Sequence, residues 1–450
     1  MDRFPRCYRA LLLGLLIPIG AGGQEQLTLG QAIRRALGES PEAKTAQAGR
    51  LEAKANESLA RTQMLPQVSF TQDISRGNDP VYVFGSKLRE QRFTAADFDV
   101  GALNRPTPVG DFSSRLSGSW TAFDSLKTQK AIRSARLMEK SADASAQAVD
   151  QKVVLDVVQA YQSVLFAERQ IDIAQHEVET AQALFDSVDD HVKAGLAVEA
   201  DRMSAQVNLA SRKQTLIVAQ GELAMAWAQL RLATGVPNLR QTKLKPIESH
   251  DYPELPLEQE IETASKTRAD LKSIFEAQSA QASAVSAAKW SYGPKISAYG
   301  NAEQDRPTFA GRGGNSWVAG VQISVDVLPF SKHAQLAHEN AIKARVDAQS
   351  AAYEQQVRLQ VSQAHIQQQT AQLSVATARA AIDQATESLR ILRNRYEAGL
   401  ANLTDLLRSE DAERQSQMNY WHSVYGNAVA HAQLLFAMGT LTPEVAEELQ

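Results

Sequence analysis

The chain has 450 residues, only 6% of them aromatic, and is rich in Ala and Gln, a composition that favours long helices packed through small residues over a bulky globular core. Its formal net charge is −4 with no basic block, which argues against a nucleic-acid partner. One cysteine and eight histidines without established ligand spacing give no disulfide framework, metal cluster or thiol nucleophile, and no phosphate loop is present, so neither catalysis nor a cofactor is expected.

The N-terminus reads as a secretory signal over 1–23. Arg3, Arg6 and Arg9 precede a short apolar core, Ala10 to Ile19, and Gly20, Ala21, Gly22 and Gly23 suit cleavage near Gly23. Ten apolar residues are too few for a membrane anchor, which needs about 20. Cleavage removes one Asp and three Arg, a net +2, and leaves the remainder near −6 and free of cysteine, since Cys7 lies in the signal.

From Leu27 to about Leu65 the pattern reads as one helix, with Thr28 as N-cap and Pro66 as the stop. The period then changes to two: Val68, Phe70, Gln72 and Ile74 alternate with Gln67, Ser69, Thr71 and Asp73 in a strand over about 67–75. Arg76 to Val109 reads as a long irregular loop, and a second strand over about 111–123 puts Leu116 and Trp120 on one face. A long helix over about 125–192 carries an apolar ladder at coiled-coil spacing: Val157, Ala160, Val164, Ala167, Ile171, Ala174, Val178, Ala181, Phe185, Val188 and Val192. It turns at Gly195, and a returning helix repeats Leu209, Leu216, Leu223 and Leu230 before Gly235. After a Pro-rich linker over 238–256 the plan recurs: a helix over about 257–291, strands over about 295–302 and 316–327, a long helix over about 331–395, a turn at Gly399 and a last helix ending at Gly439.

The recurrence is residue by residue. Adding 204 to each rung of the ladder gives Val361, Ala364, Gln368, Ala371, Val375, Ala378, Ile382, Ala385, Leu389, Leu392 and Tyr396, with Gln368 the one polar break. Ala194–Gly195–Leu196–Ala197 recurs as Ala398–Gly399–Leu400–Ala401. Ahead of the 76–109 loop the offset is 228, pairing Pro66 with Pro294, and the difference falls mainly in that longer loop. The expected organisation is a signal peptide, a first repeat over 24–237, a linker, a second repeat over 257–441 and a tail over 442–450.

A lone hairpin is not stable, so these strands must find others. Each is near the length of a tilted bilayer crossing, about 9–11 residues, and four are too few for a barrel, which starts at about eight, so several chains must contribute to one. Helices of about 65 residues span on the order of 100 Å at about 1.5 Å per residue, far more than a bilayer core.

This plan, with the turn Tyr396–Glu397–Ala398–Gly399 and the following Leu403–Thr404–Asp405–Leu406–Leu407, resembles the TolC-like outer-membrane factor family over essentially the whole mature chain. The resemblance implies a mainly α fold with a small membrane β part: a homotrimer in the outer membrane whose 12-stranded β-barrel continues as a periplasmic α-helical coiled-coil barrel. It implies a passive exit duct for drug or metal-ion efflux or for protein secretion, opened by a periplasmic adaptor and an inner-membrane pump of the RND or ABC type. It places the hairpin tips, Gly195, Leu196, Gly399 and Leu400, at the adaptor, and Asp201, Asp405 and Tyr396 at a constricted entrance. Arg408 stands one turn beyond Asp405, where some members carry a second acid, and either pairs with Asp405 or offsets its charge. Each residue also has a purely structural reading: Gly195 and Gly399 as left-handed helix ends, Asp201 and Asp405 as first-turn acids favoured by the helix dipole, Asn402 to Asp405 as a capping box, and Tyr396 as a packing rung. The 76–109 loop is expected at the cell surface, packed on itself or folded into the mouth. The alternatives are a periplasmic adaptor, which carries one hairpin and flanking β domains absent here, and a soluble structural coiled coil of the envelope, which has no use for the alternating strand at Trp317 to Val327.

Overall fold

The computed structural model describes residues 26–239, 241–246 and 252–447; the expected signal peptide lies outside them. Helix α1 (Leu29–Glu39) begins at a capping box formed by Thr28 and Gln31. It ends at Ser40, whose hydroxyl accepts from the Ala43 amide and caps α2 (Pro41–Thr62). The single helix expected over this stretch is therefore two, because Pro41 has no N–H to continue α1 and suits the first position of a new helix. Strand β1 (Gln67–Gly77) follows. The loop after it is not irregular. It holds α3 (Pro80–Arg89), a 3₁₀ turn (Ala95–Phe98) and α4 (Val100–Asn104), started by Asp79 and Asp99, which cap the amides of Tyr82 and Ala102. Strand β2 (Val109–Phe123) then leads into α5 (Lys127–Lys193) and its return helix α6 (Glu199–Thr234).

The second half comprises α7 (Leu257–Thr267), α8 (Ala269–Trp290), β3 (Lys295–Arg306), β4 (Gly314–Ser324), α9 (Phe330–Glu397), α10 (Leu403–Met438) and a short α11 (Pro443–Glu447). Here too the expected helix over 257–291 is broken, at Arg268, which is 228 residues after Ser40. No local sequence signal marks this break. The Arg268 side chain holds it, bonding to Asp270, to Gln360 (2.8 Å) and to the Ala437 carbonyl (3.3 Å). Each break receives a helix end. Gly235, with φ +68°, lies so close to the first that a Cβ would stand 2.6 Å from the Glu39 carbonyl, and Gly439, with φ +73°, meets the Arg268 backbone in the same way.

The four strands form one antiparallel sheet in the order β1-β2-β3-β4. Its register separates two faces. One carries Phe70, Leu116, Ala302 and Trp317 in one row, Val68, Gly118, Gly300 and Ala319 in the next, and then Trp120, Ala298 and Val321. The other carries Ser69, Ser117 and Asn301, then Thr71, Arg115, Glu303 and Ser316, with Arg115 paired to Glu303 at 2.7 Å. The apolar face is bare within the chain: Phe70 is 67% exposed, Trp317 80% and Val321 69%. Each such side chain forgoes roughly 1.5–3 kcal/mol of burial, so this face belongs against lipid. β4 ends at Ser324, earlier than expected, because its partner β3 begins at Lys295 after Gly293–Pro294 and offers Val325 and Val327 nothing to pair with. Among the described residues no helix is long and apolar enough to cross a membrane.

Below the sheet the helices form a wall. Near the sheet it runs α2, α5, α8, α9; farther away it runs α6, α5, α10, α9. α5 is flanked on both sides, and its rungs Val157, Val164, Ala174, Ala181 and Val188 are buried. The main core gathers around its middle, where Val157 and Val164 meet Leu29, Ile33, Trp227 and Leu230. There the buried Tyr161 hydroxyl reaches the carbonyls of Leu27 (2.8 Å) and Lys245 (2.9 Å), tying the linker to the wall. α9 is an edge. Of its ladder only Val361, Ala364 and Gln368 are buried, and Leu359, Ile366 and Leu373, spaced by seven, stand exposed. Gln368 breaks the ladder because it donates to Asn427 Oδ1 at 3.1 Å in a buried pair.

The two kinds of helix-end glycine should separate experimentally. Gly195→Ala meets only an unfavourable φ of +74° with open space around it, a cost of about 1–2 kcal/mol. Gly235→Ala adds a backbone clash and should destabilise the protein distinctly more, read as the larger fall in melting temperature of the detergent-solubilised protein.

Candidate entrance at the hairpin tips

At the end of the wall away from the sheet, α5 turns into α6 and α9 into α10. Both turns are Schellman motifs: the Leu196 amide donates to the His191 carbonyl (2.8 Å) and Gly195 to Val192 (3.0 Å), matched by Leu400 to Arg395 (2.8 Å) and Gly399 to Tyr396 (2.9 Å). Gly195 and Gly399 have φ of +74° and +72°. The motif projects Leu196 and Leu400 outward, 78% and 69% exposed, as the apolar tips of the two hairpins.

Behind the tips a small apolar cluster joins the hairpins. Val188 and Ala205 of the first pack with Leu403 of the second, flanked by Phe185, Val192, Tyr396 and Leu407. Tyr396 is thus a packing rung, and the structure brings it near Asp201: burial raises its phenol above the ordinary value, and the Asp201 carboxylate raises it further. Asp405 lies in the first turn of α10 and donates its amide to Asn402 Oδ1 at 2.8 Å, so Asn402 caps the helix. Only that half of the capping box forms among the described residues. Arg408 is exposed and, among the described residues, makes no ion pair with Asp405, so its charge stands at the tip without cancelling the acid locally.

About three helical turns up from the α6 start lies a contact that sequence reasoning missed. Arg212 is buried between the hairpins, 2.7 Å from Asp411 of α10 and 3.4 Å from Glu177 of α5. Nearby Glu410, also buried, faces Arg393 at 3.4 Å. Burial pushes the carboxyls of Glu177 and Glu410 above the usual range, against the pull of Arg212 and Arg393. A trace existed in the sequence: Arg212 occupies the seam position between Leu209 and Leu216, where every neighbouring rung is apolar. A charge in such a seam is costly unless paired, and pairing across two hairpins makes it a clasp.

Arg212→Met should uncover that cost. Both glutamates have raised folded-state values, so their contribution favours the fold at low pH and is lost as pH rises above the ordinary value of 4.5. Without Arg212 the loss deepens. The melting temperature of Arg212→Met should fall further below that of the parent at pH 8 than at pH 5, and an equal gap at both values would show that the clasp is not electrostatic.

No individually curated protein matches the chain significantly. Solved structures share its fold along nearly its whole length. The CmeC outer membrane channel of Campylobacter jejuni aligns with TM-score 0.78 at 17% identity, over 92% of this chain and 85% of that one. The outer membrane protein VceC of Vibrio cholerae gives 0.75 at 16% identity, over 91% and 96%. The open state of the MtrE outer membrane channel of Neisseria gonorrhoeae gives 0.74 at 18% identity, over 92% and 90%. The sequence profile described as Outer membrane efflux protein matches residues 32–236 and 261–440. With an apolar-faced sheet at one end and long helices leading away from it, the chain belongs to the outer membrane efflux protein family and is an outer-membrane channel whose helices extend into the periplasm.

Proposed function

We propose that three copies of this chain close one barrel and one helical tube, forming the exit duct of a tripartite efflux or type I secretion system. The observation that carries this reading is the sheet: four amphipathic strands whose outer members, β1 and β4, each have one unpaired edge. Pairing β1 of one copy with β4 of the next removes every edge, as lipid requires. The wall repeats the arrangement. The exposed seam Leu359, Ile366 and Leu373 on α9 faces a neighbour's edge helix α6, where Val218, Met225 and Leu232 are exposed at the same seven-residue spacing.

In this duct the hairpin tips face the periplasm and dock a periplasmic adaptor through Leu196 and Leu400, which in turn joins an inner-membrane pump of the RND or ABC type. Asp201 and Asp405 from each copy line the entrance, and Arg408 moderates their charge. The clasp of Arg212 with Asp411 and the Tyr396 cluster hold the two hairpins together in the closed form. The duct moves its cargo by conduction, with energy supplied by its partners.

Planar-bilayer conductance tests the entrance. Asp201→Asn combined with Asp405→Asn should lower the preference for cations over anions, and Arg408→Ala should raise it, since rings of carboxylates select for cations. Arg212→Ala with Asp411→Ala should raise conductance by loosening the clasp. Unchanged selectivity in the first two variants would reduce Asp201 and Asp405 to helix-start acids, and unchanged conductance in the third would remove the clasp from the gate.

A further inference from the structure

The segment between β1 and β2 does not stand clear of the sheet. Its helix α3 is seated on one face, and the register identifies which. Tyr82 contacts Ser75 at 2.8 Å through their hydroxyls, Ser86 donates to Asp111 at 3.2 Å, and Arg89 reaches Asp111 at 3.7 Å. Ser75 and Asp111 are opposite each other in the sheet, in line with Ser113, Thr71 and Arg115 on the polar face. The end of α3 lies against Gly314, also on that face, so closely that a Cβ there would stand 2.0 Å from the Arg89 carbonyl oxygen. The apolar face is the lipid side, so α3 lies on the lumen side.

We propose that residues Pro80 to Arg105 form a lid folded into the outer mouth of the barrel, narrowing the exit at the end opposite the hairpin tips. The proposal rests on the channel reading above. The lid holds together by itself: Phe93 meets Phe84 (4.8 Å between ring centres) and Phe98 (5.2 Å) edge to face, and Lys87 pairs with Asp97 at 2.6 Å. Its seat is of a different character. Glu90, Asp111 and Asp305 are buried there, and Glu90 Oε1 and Asp111 Oδ1 each lack a protein hydrogen-bond partner. Buried, unpaired carboxylate oxygens oppose closure, while a few hydroxyl and guanidinium contacts favour it. A unit that is firm inside and weakly seated is built to lift as one piece. Three such lids, one per copy, would converge on the mouth.

Thiol labelling from outside intact cells tests the lid without passing through the periplasmic entrance. Ser119→Cys sits on the polar face well below α3, opposite Gln67 and Tyr299, and Cys7, in the expected signal peptide, is the sequence's only cysteine. In the full-length protein a small maleimide should reach this thiol readily, and a maleimide carried on a polyethylene glycol chain should reach it slowly. Unseating the lid with Gly314→Val, or replacing 80–105 by a short Gly-Ser linker, should speed the polymer reagent about tenfold, as expected when a seat contact is lost. Equal polymer rates with and without the lid would overturn the proposal while leaving the channel intact. If the small reagent labels lipid-side Val321→Cys rather than Ser119→Cys, the assignment of faces fails, and the channel reading with it.

Discussion

Backbone groups in a bilayer have no water to bond to, and a sheet can satisfy them there only by closing on itself. This chain supplies four strands, an apolar face and two open edges. Each of these is a defect in a solitary soluble protein. Together they are what a lipid-facing, polar-lined barrel shared among several copies, as proposed above, would require. The same incompleteness continues below the membrane, where α5 is buried on both sides but α9 keeps its seam of Leu359, Ile366 and Leu373 bare. The duplicated chain is therefore asymmetric: one long helix lies inside the wall and its counterpart lies at the wall's edge, where the proposed assembly would place the next copy.

Duplication also explains how a wall so long keeps its register. α1 and α7 break from the helices after them at positions related by the repeat, and Gly235 and Gly439 close against those breaks. Only glycine fits both the φ and the approach of the neighbouring backbone. These docking points fix the upper ends of α6 and α10, whereas a Cβ added at the tip glycines Gly195 or Gly399 would meet open space, so only their positive φ calls for glycine. The helical wall is anchored at its waist and held at its tips by side chains, chiefly the Tyr396 cluster and the Arg212 clasp. That distribution of contacts suits a duct that opens from the tips.

Much of this was legible in the sequence. Period-two alternation marked the strands, and the ladder from Val157 to Val192 and its copy marked the long helices, because both patterns depend on local geometry alone. The glycine turns were legible for the same reason. The break at Ser40 is marked only by Pro41 inside an otherwise continuous helical pattern, and the helices between β1 and β2 only by the caps Asp79 and Asp99, which stand among the Pro and Gly that read as a loop. The break at Arg268 had no local signal, since Gln360 and the Ala437 carbonyl hold it from far along the chain. The clasp was beyond reach for a related reason: Arg212 and Asp411 are 199 residues apart. Around Asp405 the sequence supplied the N-cap at Asn402 correctly but suggested a pairing with Arg408 that does not form.

The central claim is that a fixed number of copies close one sheet, β1 to β4. The direct measurement places one cysteine on β1, at Ser69, and one in turn at Ser316, Val318, Gly320 or Gln322 of β4, and follows inter-chain disulfides on a denaturing gel after mild oxidation in the membrane. The account predicts that at least one pairing gives covalent species that stop at three chains. Absence of any cross-link across all four pairings, or a ladder that continues past three, would contradict it.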